Sequence, residues 1–217
     1  MIGNLRRKAS LEAGRSALSP TPSIPLQFTR ESIEIELTGY AQDCLVYGFM
    51  LVDADRLTDY MNARERYELR DVLVVDIGDG SSTEARTLAV ERGELLAVRA
   101  SGPRGNVNRR GRTRPYPVTL QTGPYTIRGH LHGHTGGDPI VQLRSRPPMV
   151  ALTESWIEYQ CEYEPHRGRV GTILVNREAI DWIHHSTDDE VQLPQLPAET
   201  RPSQRQGPDR SHRDQAP

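Results

Sequence analysis

Three histidines alternate in a Gly-His-Leu-His-Gly-His run, and their spacing is the closest approach in the chain to a metal site. Alternate side chains of a β-strand point to one face, with neighbours roughly 6.6 Å apart along the chain. His130, His132 and His134 would therefore share a face and could share a metal ion. Apolar residues fill the opposite phase, so we expect His130 and His132 to face solvent. The sequence favours a solvated histidine face without a tightly bound metal, and it predicts no cofactor. A metal-dependent enzyme built around His130 and His132 is the third function considered.

A second chemical pattern is an arginine-rich segment without acidic residues, which glycines and asparagines interrupt. Guanidinium groups bind phosphate in a bidentate manner and release counterions when they do so. This segment therefore predicts contact with a polyanion and makes nucleic-acid or nucleotide binding the second function considered. Its candidate residues are Arg104, Arg109, Arg110, Arg112, Arg114 and Tyr116. Arginine supplies all but one of the 27 basic residues of the chain, so the pattern is shared with the whole sequence.

The third candidate surface is apolar. Tyr47, Phe49 and Leu51 alternate with Val46, Gly48 and Met50, which makes one strand apolar on both faces apart from glycine. A strand of this kind is normally buried on both faces. We therefore expect one face to line a core. The other, formed by Tyr47, Phe49 and Leu51, should lie against the second unit, the N-terminal segment, a second copy or a protein partner.

The composition of the chain excludes several classes of protein. The 217 residues carry a formal net charge of -2, so the chain is not a wholly basic nucleic-acid binder. Its two cysteines cannot form a disulfide framework or a cysteine-based zinc site. No apolar run reaches the roughly 18 residues of a membrane span, and the N-terminus lacks the apolar core of a secretory signal. We expect a cytoplasmic protein without membrane contact.

The ends and the middle of the chain have compositions typical of unfolded segments. Residues 1–30 and 186–217 are rich in proline and polar residues, and they carry too little apolar surface to offset the entropy lost on ordering. We therefore predict a disordered N-terminal segment over 1–30 and a disordered tail over 186–217. Residues 101–116 form the arginine-rich linker. It separates two predicted ordered units, at 31–100 and 117–185.

The two predicted units are related by an internal repeat. Arg56–Asp76 aligns without gaps with Pro139–Tyr159, and Thr87–Val98 aligns with Thr172–Ile183. Apolar residues coincide at most core positions of both blocks. The alignment also matches Asp71 with Glu154, Arg92 with Arg177, Ala97 with Trp182 and, after a slip of two residues, Gly48 with Gly129. Two blocks in the same order favour a duplication.

Each unit contains short alternating segments separated by turn residues, which is typical of an all-β chain. The pattern predicts five strands and one short helical turn, with Asp55 as N-cap in the first unit and Asp138 in the second. In the second unit Pro139 stands at the first helical position. Closure would remove exposed strand edges, so we predict two tandem small β-barrels that pack together or oligomerise. Their shape is similar to that of Sm-like and SH3-like barrels.

Two local motifs resemble those of an uncharacterised family of small bacterial β-domains. One is the Arg-Leu-Thr-Asp turn that begins at Arg56, and the other is the Val-Asn-Arg-Glu-Ala-Ile hairpin that ends at Ile180. Each unit keeps half of the pattern. The resemblance implies an architecture and supplies no reaction and no ligand. With no nucleophile elbow, phosphate-binding loop or zinc-protease motif present, the leading expectation is a non-catalytic binding or assembly module. Its partner would be a protein or a second copy of the chain.

Overall fold

Strands dominate the computed structural model, which describes residues 32–103, 111–161 and 164–191. Over these residues ten strands join into one antiparallel sheet in the order β10-β6-β7-β8-β9-β5-β1-β2-β3-β4. The strands are β1 Ile33–Tyr40, β2 Cys44–Val52, β3 Arg66–Asp76, β4 Ser82–Glu91, β5 Ala97–Ala100, β6 Arg114–Thr122, β7 Tyr125–Gly133, β8 Met149–Cys161, β9 Glu164–Asn176 and β10 Trp182–His185. Three short helices accompany them, α1 Leu57–Ala63, α2 Pro139–Leu143 and α3 Asp188–Val191.

The first half of the sheet (β1–β5) and the second half (β6–β10) have the same internal order. In each half the fifth strand pairs with the first, and the first four strands follow as a meander. A 3₁₀ turn precedes the fifth strand in both halves, at Arg92–Glu94 and at Arg177–Ala179. The repeat predicts that both halves share one strand order, and they do, with Arg92 and Arg177 opening equivalent turns.

Both halves also share one irregularity. The register between the second and third strands shifts at Gly48 in the first half and at Gly129 in the second. In the same bulges Asp71 and Glu154 adopt left-handed backbone conformations, with φ of 48° and 52°. Such angles are uncommon outside glycine and carry strain. Their recurrence at aligned positions indicates that the bulge bends each half of the sheet in the same way.

The two halves are joined edge to edge. β9 of the second half pairs with β5 of the first, so one sheet continues through both. The predicted all-β architecture is therefore confirmed, but the predicted tandem barrels are not, because the sheet does not close on itself in either half. Each half still has a hydrophobic cluster of its own, and each cluster borrows residues from the other half. Leu174 packs into the first-half cluster, and Leu96 packs into the second-half cluster.

A cluster of tyrosines stabilises the junction. Tyr40 of the first half and Tyr125 and Tyr159 of the second meet edge to face, with ring centroids 5.4–6.5 Å apart. The Tyr125 hydroxyl donates a hydrogen bond of 2.8 Å to the Ala41 carbonyl. Burial raises the pKa of Tyr40 to about 12, so its ring stays neutral at the pH of cells. Edge-to-face rings add roughly 0.5–1.5 kcal/mol per pair beyond the area they bury.

The short helices only partly follow their predicted caps. Asp138 caps α2 by accepting a hydrogen bond of 2.8 Å from the Ile140 amide, and Pro139 occupies the first turn as predicted. Asp55 does not cap α1, because the N-cap position is Arg56, whose side chain makes no capping bond. No helix within the described residues is long and apolar enough to cross a membrane.

The C-terminal boundary lies later than predicted. Residues 186–191 were expected to belong to the disordered tail, yet they continue from β10 into α3, and Val191 is only 2% exposed. α3 packs against β6 and β7. One apolar residue on a single helical turn supplied too little signal to predict this element. Residues 1–31 and 192–217, which hold the predicted N-terminal segment and the rest of the predicted C-terminal tail, lie outside the described part of the chain.

Candidate binding surfaces

The histidine face of β7 is more enclosed than its pattern predicted. His130 is only 9% exposed, so the expectation that it faces solvent is wrong. Its Nδ1 lies 3.3 Å from Glu154 Oε2, and its Nε2 lies 3.4 Å from Asp188 Oδ1. Glu154 is carried by the bulge of β8 and Asp188 by α3. The two elements together cover the ring, and the alternation of residues along β7 predicts neither of them.

The remaining histidines of the run are held differently. His132 is half-buried and its Nε2 lies 2.9 Å from Thr153 Oγ1, while its Nδ1 lies 3.3 Å from Thr113 Oγ1. His134 lies beyond the end of β7 and is exposed. Among the described residues, no group of three or more histidine, cysteine or acidic side chains is arranged to hold a metal ion. The ring of His130 instead lies between one carboxylate of β8, Glu154, and one carboxylate of α3, Asp188.

The apolar strand β2 has one buried and one open face. Val46, Met50 and Val52 point into the first-half core and are at most 4% exposed. Tyr47, Phe49 and Leu51 point outward and are 37%, 40% and 39% exposed. The inward face therefore lines a core as predicted, whereas the outward face stays partly exposed. We call the outward surface of Tyr47, Phe49 and Leu51 the β2 face.

Charged residues border the β2 face on both sides. Glu34 and Glu36 of β1 stand directly opposite Leu51 and Phe49, and all four of these side chains are exposed. On the other side, Phe49 pairs with the exposed Arg70 of β3. The face is thus an apolar ridge with an acidic row along β1. Large exposed apolar residues grouped in this way are typical of interaction surfaces rather than of ordinary protein surface.

The arginine-rich segment is described only in part. Arg104, Arg109 and Arg110 lie outside the described residues. Arg112 and Arg114 are exposed at the start of β6, and Tyr116 is half-buried there. The described residues therefore bring two arginines of the predicted set to one strand end.

Cys44 and Cys161 are free thiols, and both side chains are half-buried. Burial, with Asp43 nearby, raises the pKa of Cys44 to about 11. Its thiol is therefore protonated at neutral pH and a weak nucleophile.

Sequence patterns missed the open edges of the sheet. Within the described residues, β4 and β10 each pair on one side only, while every other strand pairs on both sides. A closed barrel has no open edges, so the predicted barrels gave no reason to expect them. The alignment of Ala97 with the much larger Trp182 was the signal available, because it places an exposed tryptophan where the first half has a buried alanine.

The chain was compared with known proteins at three levels. No protein-family model, curated protein or solved structure matches it. The resemblance to small bacterial β-domains therefore stays a prediction, and function is inferred from the surfaces described above.

Proposed function

We propose that this protein is a non-catalytic protein-binding module that docks a partner on the β2 face. The observation that carries the proposal is the exposure of Tyr47, Phe49 and Leu51, at 37–40% each, on a strand whose other face is core. Fully burying an apolar side chain of this size is worth about 1.5–3 kcal/mol. Three such residues that are already partly buried supply enough for a modest docking site.

The second half shows how such a face is covered. Phe49 aligns with His130, which is only 9% exposed because α3 lies over β6 and β7. That helix follows the fifth strand of its half directly. In the first half the chain after β5 takes another course, and the Pro103 carbonyl accepts a hydrogen bond of 3.1 Å from the Leu57 amide of α1. Among the described residues, the β2 face therefore has no helix in the position that α3 takes over its counterpart.

The partner is inferred from this comparison. A short amphipathic helix on another protein, with an apolar side chain in the role of Val191, fits the place that α3 fills in the second half. Basic residues beside that side chain would meet Glu34 and Glu36 along β1. A helix laid on an apolar surface is a common mode of peptide recognition.

A library of helical peptides displayed on phage tests the proposal. We expect the full-length chain to select amphipathic peptides that carry basic residues, and amide exchange within Leu45–Val52 to slow when they bind. Phe49→Asp should abolish binding. Val141→Asp is the matched control, because Val141 is an apolar residue of α2 that is 68% exposed outside the β2 face.

Two results would contradict the proposal. One is selected peptides that bind Phe49→Asp as tightly as the unsubstituted chain. The other is protection that falls on the described arginine end of β6 rather than on β2, which would favour polyanion-type recognition.

A further inference from the structure

The junction inside the sheet defines a pairing rule. The fourth strand of the second half, β9, pairs with the fifth strand of the first half, β5. Ala97 stands opposite Val175, and Val98 stands opposite Leu174. The Asn176 amide continues this ladder with a hydrogen bond of 2.9 Å to the Leu96 carbonyl. Because the two halves share one strand order, the same rule applies to the strands that remain unpaired.

The two unpaired edge strands correspond to the two strands that pair at the internal junction. At one end of the sheet lies β4, the fourth strand of the first half, and at the other end lies β10, the fifth strand of the second half. They are the equivalents of β9 and β5. Since they lie at opposite ends of one sheet, they meet only when a second copy of the chain is present.

Side-chain exposure agrees with a missing neighbour at both edges. On β10, Trp182 is 46% exposed, while its equivalent Ala97 is fully buried. On β4, Leu88 is half-buried and Ala89 is exposed. Their equivalents on β9, Ile173 and Leu174, are 0% and 3% exposed. Three positions that the internal junction buries are therefore more open at the two ends, while Val90, the equivalent of the buried Val175, is only 5% exposed.

We propose that β10 of one copy pairs with β4 of a second copy and repeats the internal junction between molecules. The equivalent register places Trp182 opposite Val90, Ile183 opposite Ala89 and His184 opposite Leu88 of the neighbouring copy. Trp182 then packs over Val90 and Leu88 at the margin of the neighbour's first-half core. A shallow depression of about 400 Å³ lies on β3 and β4 beside this edge and is lined by Arg66, Tyr67, Glu68, Thr87, Leu88 and Ala89.

The pairing joins two different surfaces, so it is head-to-tail. Such a contact forms a ring if its rotation closes and a filament if it does not. In either form each chain contributes two consecutive sheet halves. The contact involves neither Tyr47 nor Phe49 nor Leu51, so it is independent of the β2 face and of the function proposed for that face.

The contact between copies is weaker than the internal one. The internal junction has the cluster of Tyr40, Tyr125 and Tyr159. At the contact between copies, the equivalent positions hold Gln121, Cys44 and Asp76, which form no aromatic cluster. Leu96, which is buried in the internal junction, aligns with the exposed Asp181. On β4 the Glu91 amide already donates a hydrogen bond of 2.7 Å to Glu94 Oε2, and this bond must open for the ladder to extend fully. The association therefore depends on concentration.

The mass of the full-length chain, measured by light scattering over a concentration series, tests this inference. We expect the mass to rise from the 24.4 kDa of one chain to multiples of it. Trp182→Ala should raise the concentration of half-assembly about tenfold or more, as is common when a central tryptophan of an interface is truncated. Ala89→Pro should act in the same direction, because the Ala89 amide points out of the open edge and proline cannot donate there.

Phe49→Ala is the matched control, since Phe49 is exposed to a similar degree (40%) but lies away from both edges. It should leave the mass unchanged. Circular dichroism checks whether Ala89→Pro folds. Trp182→Ala truncates an exposed side chain, so the test does not depend on the proline variant alone. A chain that stays at the mass of one copy at every concentration overturns the inference. So does an assembly that neither edge variant weakens, or one that Phe49→Ala abolishes.

Discussion

The bulge at Gly129 gives a sharp test of how the sheet is bent. A methyl group at this position would lie 2.5 Å from Ser155 Oγ and 3.1 Å from the Thr153 carbonyl oxygen. Ser155 is fully buried on the neighbouring strand β8 and cannot swing into solvent. Forcing an extra methyl group into packed structure costs about 1–3 kcal/mol. We therefore expect Gly129→Ala to destabilise the protein by about that amount.

Thermal unfolding followed by circular dichroism measures the effect. For a chain of this size, 1 kcal/mol shifts Tm by roughly 2–4 °C, so Gly129→Ala should lower Tm by about 2–12 °C. Gly93→Ala is the matched control, because nothing lies within 4 Å of the added methyl group. It should leave Tm within about 2 °C, as surface substitutions usually do.

A double substitution identifies the cause. Ser155→Ala removes the atom closest to the new methyl group, and it also removes a buried hydroxyl that has no hydrogen-bond partner among the described residues. We expect Ser155→Ala alone to be near neutral, since no hydrogen bond is lost. In combination it should restore part of the stability that Gly129→Ala removes, so the double variant should be less destabilised than the sum of the two single variants. Rescue is partial because the Thr153 carbonyl remains. A Gly129→Ala protein as stable as Gly93→Ala, or additive effects, would refute the steric argument.

Three further predictions concern α3, α2 and Cys44. His130→Ala should speed amide exchange over Asp188–Val191, because the ring lies 3.4 Å from Asp188 Oδ1 and holds α3 in place; His134→Ala, at an exposed position, should leave exchange unchanged. Asp138→Ala should lower Tm at neutral pH. The Ile140 amide, which donates to the carboxylate, holds the pKa of Asp138 below its ordinary range. The stability it contributes is therefore present above the unfolded pKa and lost as the pH falls through the folded pKa, so the Tm difference should shrink in acid. Iodoacetamide at neutral pH should alkylate Cys44 far more slowly in folded than in denatured protein, since burial raises its pKa to about 11; equal rates would contradict this.

The repeat made the path of each half predictable from sequence. Gly48 and Gly129 mark the bulges, and the alignment of Asp71 with Glu154 marks the two residues with positive φ. These features are local, because a strained backbone or a close approach between strands restricts the residue at that position. The order of the first four strands in each half follows from short connections between consecutive strands.

The contact between the two halves of the sheet could not be predicted from the sequence. Pairing of β9 with β5 is a long-range event that no spacing in either strand specifies, so closed barrels seemed the natural way to remove edges. The covering of His130 was missed for a related reason. Its neighbours Glu154 and Asp188 come from a bulge and from a helix beyond the predicted boundary. The β2 face was predictable as an apolar surface, because alternation alone places Phe49 on one side of the strand, but its exposure required the structure.

The claim that both halves follow one pairing rule is tested most directly by cross-linking between copies. The internal hydrogen bond from the Asn176 amide to the Leu96 carbonyl makes Arg99 and Ile173 a non-hydrogen-bonded pair, in which side chains come closest. The equivalent positions between copies are His184 and Leu88. In a chain whose Cys44 and Cys161 are replaced by serine, Leu88→Cys with His184→Cys should form disulfide-linked multiples of the 24.4 kDa chain under mild oxidation. Ala89→Cys with His184→Cys, one residue out of register and on the opposite face of β4, should form far fewer. Equal cross-linking of the two pairs, or none by either, would contradict the account.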